Sequence, residues 1–403
     1  GQDSALILIA GEDALDQFFM RNPQDFINRK PEAAVVNPYN PQILAQHLEC
    51  AAAELPLKID KPPANKKYAV KIVQQLEKIG NLLRSADGRE LYARRKNPHR
   101  YVNIRGTGHR FQIVATHSGK NMGEIDEFRA YRETHRGAIY LHRGDCYIVD
   151  TLDVNAGTIR VSKAEVDYFT QVRGYKETEI LEIYEQKPVW GGTAFTGRLK
   201  VTDQVTEYEI RRIHGKKLIN KVCLDLPPQI FETEGLWFKI PQAIVYAAES
   251  EHLDFMGGIH AVEHAAIGIF PLLVMADRND LGGLSTPYHP QLNSAAIFVY
   301  DGIAGGVGLN REAYKHAHRL LEHTLNAIQG CACESGCPSC VHSPKCGSAN
   351  RPIDKAAAIF ILNQFKQMNA ANPESAPGII TPQKPAVTTG KKTSEALHYG
   401  VFD

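Results

Sequence analysis

The chain has 403 residues, of which 43% are hydrophobic, 8% aromatic and 23% charged. That composition excludes disorder over most of the length and sets a prior of two or three domains. The formal net charge is only +1, so the chain as a whole has no bulk field to hold a polyanion or a membrane. The longest strongly apolar run, 265–276, is 12 residues and contains Gly268 and Pro271, too short to cross a bilayer. The first apolar stretch lacks a basic flank and a cleavage site, so no signal peptide is expected. Its abrupt opening fits a piece of a longer chain.

In chain order, residues 4–10 read as a buried strand and 12–22 as a short helix carrying Leu15, Phe18 and Phe19. A helix-like stretch from Ile43 to Leu55 leads into a breaker segment with Pro62 and Pro63, the expected domain boundary. From Tyr68 a helix is predicted with Val70, Val73, Leu76, Ile79 and Leu83 on one face. A turn at Asp87-Gly88 and a strand from Tyr101 follow. A helix, a loop and Arg-rich strands suggest a winged-helix shape over 61–136. Residues 137–235 read as a small β-rich module, with hairpin signals at His142–Asp145 and Asn155–Gly157.

From about Leu236 the pattern becomes mixed. Helices are predicted over 240–252, 257–274 and 310–328, with a buried strand at 294–301 and a last helix capped by Asp354. After Asn369 the text is rich in Pro, Thr and Lys and reads as a mobile tail, taken as 371–403. The expected fold class is therefore α+β and multidomain: a remnant and linker over 1–60, a winged-helix-like domain, a β-rich module, and a mixed α/β domain over 236–370.

The strongest chemical signal is five cysteines within 16 residues: Cys331, Cys333, Cys337, Cys340 and Cys346. Zinc takes four tetrahedral thiolate or imidazole ligands. Cys337 and Cys340 supply two from one tight turn, and Cys331 and Cys333, leaving a helix, supply two more. Cys346, as a substitute for Cys331, and His342 compete for the site. Four thiolates leave no open position, so the site would be structural. An iron–sulfur cluster would use the same thiolates; a redox CxxC would need a thioredoxin-like context that is missing.

Two weaker signals accompany it. His260-Ala-Val-Glu263-His264 fits the H-x-x-E-H pattern of zinc peptidases, which makes a metal-dependent hydrolase the alternative function. The pattern is short, and a core helix with a hydrogen-bonded His264 is the favoured reading. The glycine-rich stretch Gly302–Gly308 lies between a strand and a helix, where backbone amides can cradle phosphate. It matches no nucleotide-binding fingerprint and reads instead as a close-packing turn.

Charge is partitioned. Residues 61–143 hold 18 Lys/Arg against 7 Asp/Glu, a net of +11, leaving −10 for the rest of a +1 chain. Arg84, Arg89, Arg94, Arg95, Lys96, Arg100, Arg105 and Arg110 are interleaved with Tyr92, Tyr101 and Phe111. Phosphate neutralisation beside aromatic faces builds a sequence-tolerant nucleic-acid surface. A scaffold whose basic face meets an acidic protein is the blander alternative.

The strings CACESGCPSCVHSPKCGSAN, GGIHAVEHAAIGIFPLLVMADRNDLGG and VYDGIAGGVGLN resemble the zinc-binding C-terminal domain of the mitomycin repair factor A (YprA-type) superfamily 2 DNA helicases. The opening, GQDSALILIAGEDALDQFFMRNP, resembles the segment after the arginine finger of their second RecA-like lobe. The resemblance implies a cytoplasmic, ATP-dependent 3′→5′ helicase of DNA repair, with four zinc cysteines falling on Cys331, Cys333, Cys337 and Cys340. It further implies single-stranded or partly duplex DNA and the RecA-like lobes as partners, no membrane, and ATP and Mg²⁺ as needs of the parent protein. No G-x-x-x-x-G-K-[ST] and no D-E-x-H occur in this sequence. The expectation is thus an accessory C-terminal region without its motor, holding and guiding single-stranded DNA.

Overall fold

The computed structural model describes residues 5, 7–32, 34–64, 66–102 and 109–371. The Pro/Thr/Lys-rich tail beyond 371 and Arg105 lie outside them.

Two short helices, α1 (Ala14–Arg21) and α2 (Pro23–Asn28), come first. The Asp13 carboxylate accepts from Leu15 N and Asp16 N and so starts α1. Leu15, Phe18 and Phe19 pack against Ile269, Leu272 and Ala327 far along the chain. The strand expected over 4–10 is not formed in its described residues: Ile7 and Ile9 are more than 80% exposed and pair with no other strand there. A strand needs a neighbour for its backbone groups, and none of the described strands lies beside this one.

The next unit comprises α3 (Pro41–Glu54), β1 (Leu57–Lys58), α4 (Lys67–Lys78), β2 (Leu82–Arg84), β3 (Glu90–Ala93) and a 3₁₀ turn at Pro98–Tyr101. The strands form an antiparallel sheet in the order β1-β3-β2. Leu48 and Ala52 of α3 share one core with Leu57, Ile72, Val73, Leu76, Leu82 and Leu91. The expected boundary at Pro62-Pro63 therefore falls inside a common core. Helix α4 is shorter than predicted, because Gly80 adopts φ +76° and ends it. Its buried face is Ala69, Ile72, Val73 and Leu76, while Val70, Ile79 and Leu83 are exposed. Tyr101, expected to start a strand, lies in the 3₁₀ turn that Pro98 opens.

A five-stranded sheet follows: β4 (Arg110–Ala115), β5 (Asn121–Asp126), β6 (Ile139–His142), β7 (Asp145–Asp153) and β8 (Thr158–Lys163), in the order β5-β4-β8-β7-β6. Helix α5 (Glu127–Glu133) covers it with Ala130 and Tyr131. The predicted hairpin at 142–145 is present, with Arg143 and Gly144 both at positive φ.

The β-rich text continues into a second, larger sheet rather than the same one. A hairpin of β9 (Tyr168–Val189) and β10 (Gly192–Arg212) leads to β11 (Leu218–Cys223) and β12 (Gln229–Ile240). The sheet is completed by β13 (Leu281–His289) and β14 (Ser294–Asp301), in the order β11-β10-β12-β14-β13, with β9 also on β10. Strand β14 is buried at all eight positions, as a central strand covered on both faces must be.

One face carries α6 (Gln242–Ser250), α7 (Phe255–Ile269), α8 (Leu309–Lys315), α9 (Ala317–Gln329) and α10 (Lys355–Ala371). The helix predicted over 310–328 is broken into α8 and α9 at His316. The Asp354 cap is as expected: its Oδ1 accepts from Ala357 N at 2.9 Å. The span Phe255–Leu272 is apolar and long enough to cross a membrane by composition, but 78% of it is buried among these elements, as for a core helix.

Side chains of Asn37 and Asn40 tie the winged-helix unit to the loop after β14; Asn37 Nδ2 donates to Gly306 O at 3.0 Å. The Asn40 side chain, fully buried, caps α3 through Oδ1, which accepts from Gln42 N and Ile43 N. Its Nδ2 donates to Ala304 O and Gly306 O, both at 2.8 Å. Gly305, at φ +82°, lets the loop pass so close that a Cβ there would stand 2.7 Å from Asn40 Nδ2.

Candidate zinc centre and basic wing

Helix α9 ends at Gln329, and Cys331 and Cys333 follow as the chain leaves it. Cys337 and Cys340 come from a tight turn in which the amides of Cys340, Val341 and His342 all donate to Cys337 O at 3.1 Å. Gly336, at φ +118°, makes that turn possible. The four Sγ atoms converge. Cys331–Cys333 is 3.6 Å, Cys331–Cys337 and Cys333–Cys340 are 3.5 Å, and Cys337–Cys340 is 3.8 Å. Sulfurs at about 2.3 Å from a tetrahedral zinc stand about 3.8 Å apart, so the cage has the right size.

Electrostatics agree. Burial raises the thiols of Cys337 and Cys340. Cys331 is brought down to about 7 against burial by hydrogen bonds from the Cys333 amide and neighbouring thiols. One thiolate forms readily and further ones repel it, a set that a dication completes. Lys355 of α10, only 7% exposed, donates from Nζ to Cys331 O and Cys333 O, both at 2.6 Å. It fixes the loop and adds positive charge 3.6 Å from Cys333 Sγ. Sequence reading passed over Lys355, because a lysine at the start of a helix carries no local signal.

Cys346 does not join the four; it faces α7. His260 and His264, one helical turn apart, direct Nδ1 to Pro352 O at 2.7 Å and Val341 O at 2.8 Å. Cys346 Sγ lies 3.4 Å from His260 Nε2, and the three potential ligand atoms are within 4.8 Å of one another. Burial opposes ionisation of Cys346, but hydrogen bonds from the two imidazoles outweigh it and bring the thiol to about 4. His342 is lowered by burial. The third member of the H-x-x-E-H pattern is turned elsewhere: Glu263 accepts from Ser285 Oγ on β13 at 2.7 Å. Its carboxylate is therefore committed to the sheet, which removes the general base that the hydrolase alternative needs.

The glycine loop does not offer its amides. Asp301, buried, accepts from Val307, Gly308, Leu309 and Asn310 N and from Asn310 Nδ2. An internal carboxylate occupies the place a phosphate would take.

Of the eight basic residues singled out, the structure describes seven, all exposed. Six belong to the small sheet of the winged-helix unit and its flank; Arg110 opens the next sheet and meets Glu124 at 3.2 Å. Arg84 is engaged in a two-pronged pair with Glu77, both contacts at 2.7 Å. Arg95 lies 3.8 Å from Glu49 and stacks over Tyr101 at 4.7 Å. Among the described residues, Arg89, Arg94, Lys96 and Arg100 have no acidic partner. Tyr101 is 66% exposed and Tyr92 is exposed, whereas Phe111 is a core residue at 2%. Strand alternation turns Phe111 inward onto Tyr131, so it offers no face to a base.

The chain is similar to known proteins. The model of the MrfA Zn-binding domain matches residues 262–341. The model of the winged helix domain of the ATP-dependent helicase HRQ1 matches residues 36–107, in agreement with the shared core that begins at α3. The chain is 30% identical over 344 residues to the uncharacterized ATP-dependent helicase YprA of Bacillus subtilis (strain 168), covering 84% of this chain and 45% of that one. It is 40% identical over 110 residues to the uncharacterized protein MJ1572.1 of Methanocaldococcus jannaschii, covering 27% of this chain and 98% of that protein. Among solved structures, DUF1998 helicase MrfA is similar with a TM-score of 0.55 at 26% identity, over 84% of this chain and 47% of that chain. The chain thus spans less than half the length of YprA.

Proposed function

This chain belongs to the MrfA family of helicases, and from that premise we propose that it is the DNA-holding accessory region of an ATP-dependent 3′→5′ repair helicase. On this reading Cys331, Cys333, Cys337 and Cys340 hold a structural zinc ion, which braces the loop between α9 and α10 without taking part in chemistry. The wing grips single-stranded DNA through Arg89, Arg94, Lys96 and Arg100, with Tyr101 and Tyr92 as stacking faces. On the same reading, ATP and Mg²⁺ are assigned to RecA-like lobes of a longer cytoplasmic helicase, in keeping with the 45% of the ATP-dependent helicase YprA that this chain spans.

The observation that carries the reading is the difference among the basic residues. Four exposed cations on one small sheet and its flank have no acidic partner among the described residues, in a chain whose net charge is only +1. Unpaired cations at an exposed edge beside an aromatic ring are what phosphate neutralisation requires. The test is fluorescence anisotropy with a labelled single-stranded oligonucleotide over a salt series. Binding should weaken steeply with salt, and replacing the four cations by glutamine should lower the slope of log K against log[salt] by about 3. Salt-independent binding, or an unchanged slope in the variant, would overturn the assignment.

A further inference from the structure

We infer that the chain holds a second metal site, separate from the four-cysteine cage, in which His260, His264 and Cys346 bind a divalent zinc-like cation. Its basis is the juxtaposition of two imidazoles on one face of α7 with a thiol from the loop that follows the cage.

Three independent features support it. The first is ligand geometry: a ring nitrogen of each histidine and Sγ of Cys346 lie within 4.8 Å of one another, His260 Nε2 stands 3.4 Å from that sulfur, and both histidines are 8% exposed. The second is tautomer control. A carbonyl oxygen only accepts, so each Nδ1, bonded to Pro352 O or Val341 O, carries the proton. That leaves Nε2 of His260 turned to Cys346 Sγ, where a metal ion would take the place of the hydrogen bond between them, the arrangement that prepares histidines for metals. On the sulfur side, Asn350 N donates to Cys346 Sγ at 3.2 Å, and Ser348 Oγ is at 3.1 Å.

The third feature is the loop itself. Residues 330–354 connect α9 to α10 with no helix or strand, a length that is uncommon without a function or a staple. The cage accounts for 331–340. The remainder is held by Asn350, which accepts from Ser343 N and donates to Ser343 O, and by Arg173, which donates to Gly347 O. Both of these contacts present Cys346 to α7. Two imidazoles and a thiolate suit zinc, and three protein ligands leave a fourth position for water or an external ligand. Glu263 faces β13, so the site lacks the carboxylate of a peptidase and is assigned as a metal-binding brace.

The test counts metal in the full chain purified with zinc present. About two zinc equivalents per chain are expected, against about one for the cage alone. Cys346→Ser and His264→Asn should each remove one equivalent, while Cys337→Ser should remove the other; melting curves on all three report whether they fold. Cobalt replacement reads the sites without any variant, since a two-nitrogen, one-sulfur site gives weaker sulfur-to-cobalt charge transfer than a four-sulfur cage. One zinc that is lost with Cys346→Ser but survives Cys337→Ser would keep this site and break the cage assignment. One zinc unaffected by Cys346→Ser, or stoichiometric alkylation of Cys346 in the zinc-replete protein, would overturn the inference.

Discussion

The cysteine loop and the basic wing were both conspicuous as sequence, but the structure treats them differently. In the loop, four of the five clustered cysteines converge on one point and the fifth turns to a pair of histidines. On the wing, residues of one charge type divide among the described residues: Arg84 is held by Glu77 and Arg95 lies beside Glu49, while Arg89, Arg94, Lys96 and Arg100 meet no acidic partner there. Metal ligation demands a set of atoms at one distance, so close spacing along the chain nearly specifies it. Polyanion binding demands only unspent charge, and what spends a charge is set by neighbours distant in sequence.

The largest expected effect comes from stripping metal from the loop. Structural zinc contributes about 10 kcal/mol or more to small zinc peptides. Here α7, α9 and α10 keep an apolar core of their own, so chelation at neutral pH should melt residues 331–354 rather than the whole chain. Hydrogen exchange should show protection lost in that loop and kept in β4, β7 and β8; uniform loss would mean that the sulfur cage supports far more of the fold than its surroundings suggest.

Next comes Lys355→Met. It leaves Cys331 O and Cys333 O without their buried donor, and a cost of roughly 2–4 kcal/mol is expected by denaturant melts. Zinc affinity should fall about 10–100-fold, as for other outer-shell partners. Wild-type affinity in this variant would show the cage to be self-sufficient.

A control unrelated to either region is His135, buried against Tyr208 with its pKa pushed by desolvation from 6.5 to about 4. A folded value below the unfolded one means the contribution is fully present above pH 6.5 and is lost as pH falls towards 4. The loss is at most about 3 kcal/mol. His135→Gln should flatten stability between those limits, and an unchanged profile would place the acid sensitivity elsewhere.

The smallest effects sharpen the division on the wing. Arg94→Gln should weaken single-strand binding several-fold with no change in melting temperature. Arg84→Gln should leave binding nearly intact and cost no more than the ~1 kcal/mol typical of exposed pairs. Equal losses of binding from the two would erase the distinction between engaged and free cations.

What was legible follows from the same physics. The α+β class, helix α7, the wholly buried β14 and the Asp354 cap were readable because periodicity and capping are local signals. The rotation of α4, which buries Ile72 in place of Val70 and Ile79, depends on where α3 and β3 lie and was not. Phe111 looked like a base-stacking ring only while its strand register was unknown. The split of the β-rich text into two sheets was hidden because the strand pattern is the same on both sides of residues 164–167.

Asn40 has a mechanical meaning beyond its role as a cap. One amide group both begins the first helix of the winged unit and grips the glycine loop beneath β14, so the two bodies share a rivet rather than a tether. A displacement of the wing at this point would also disturb the cap of its own first helix.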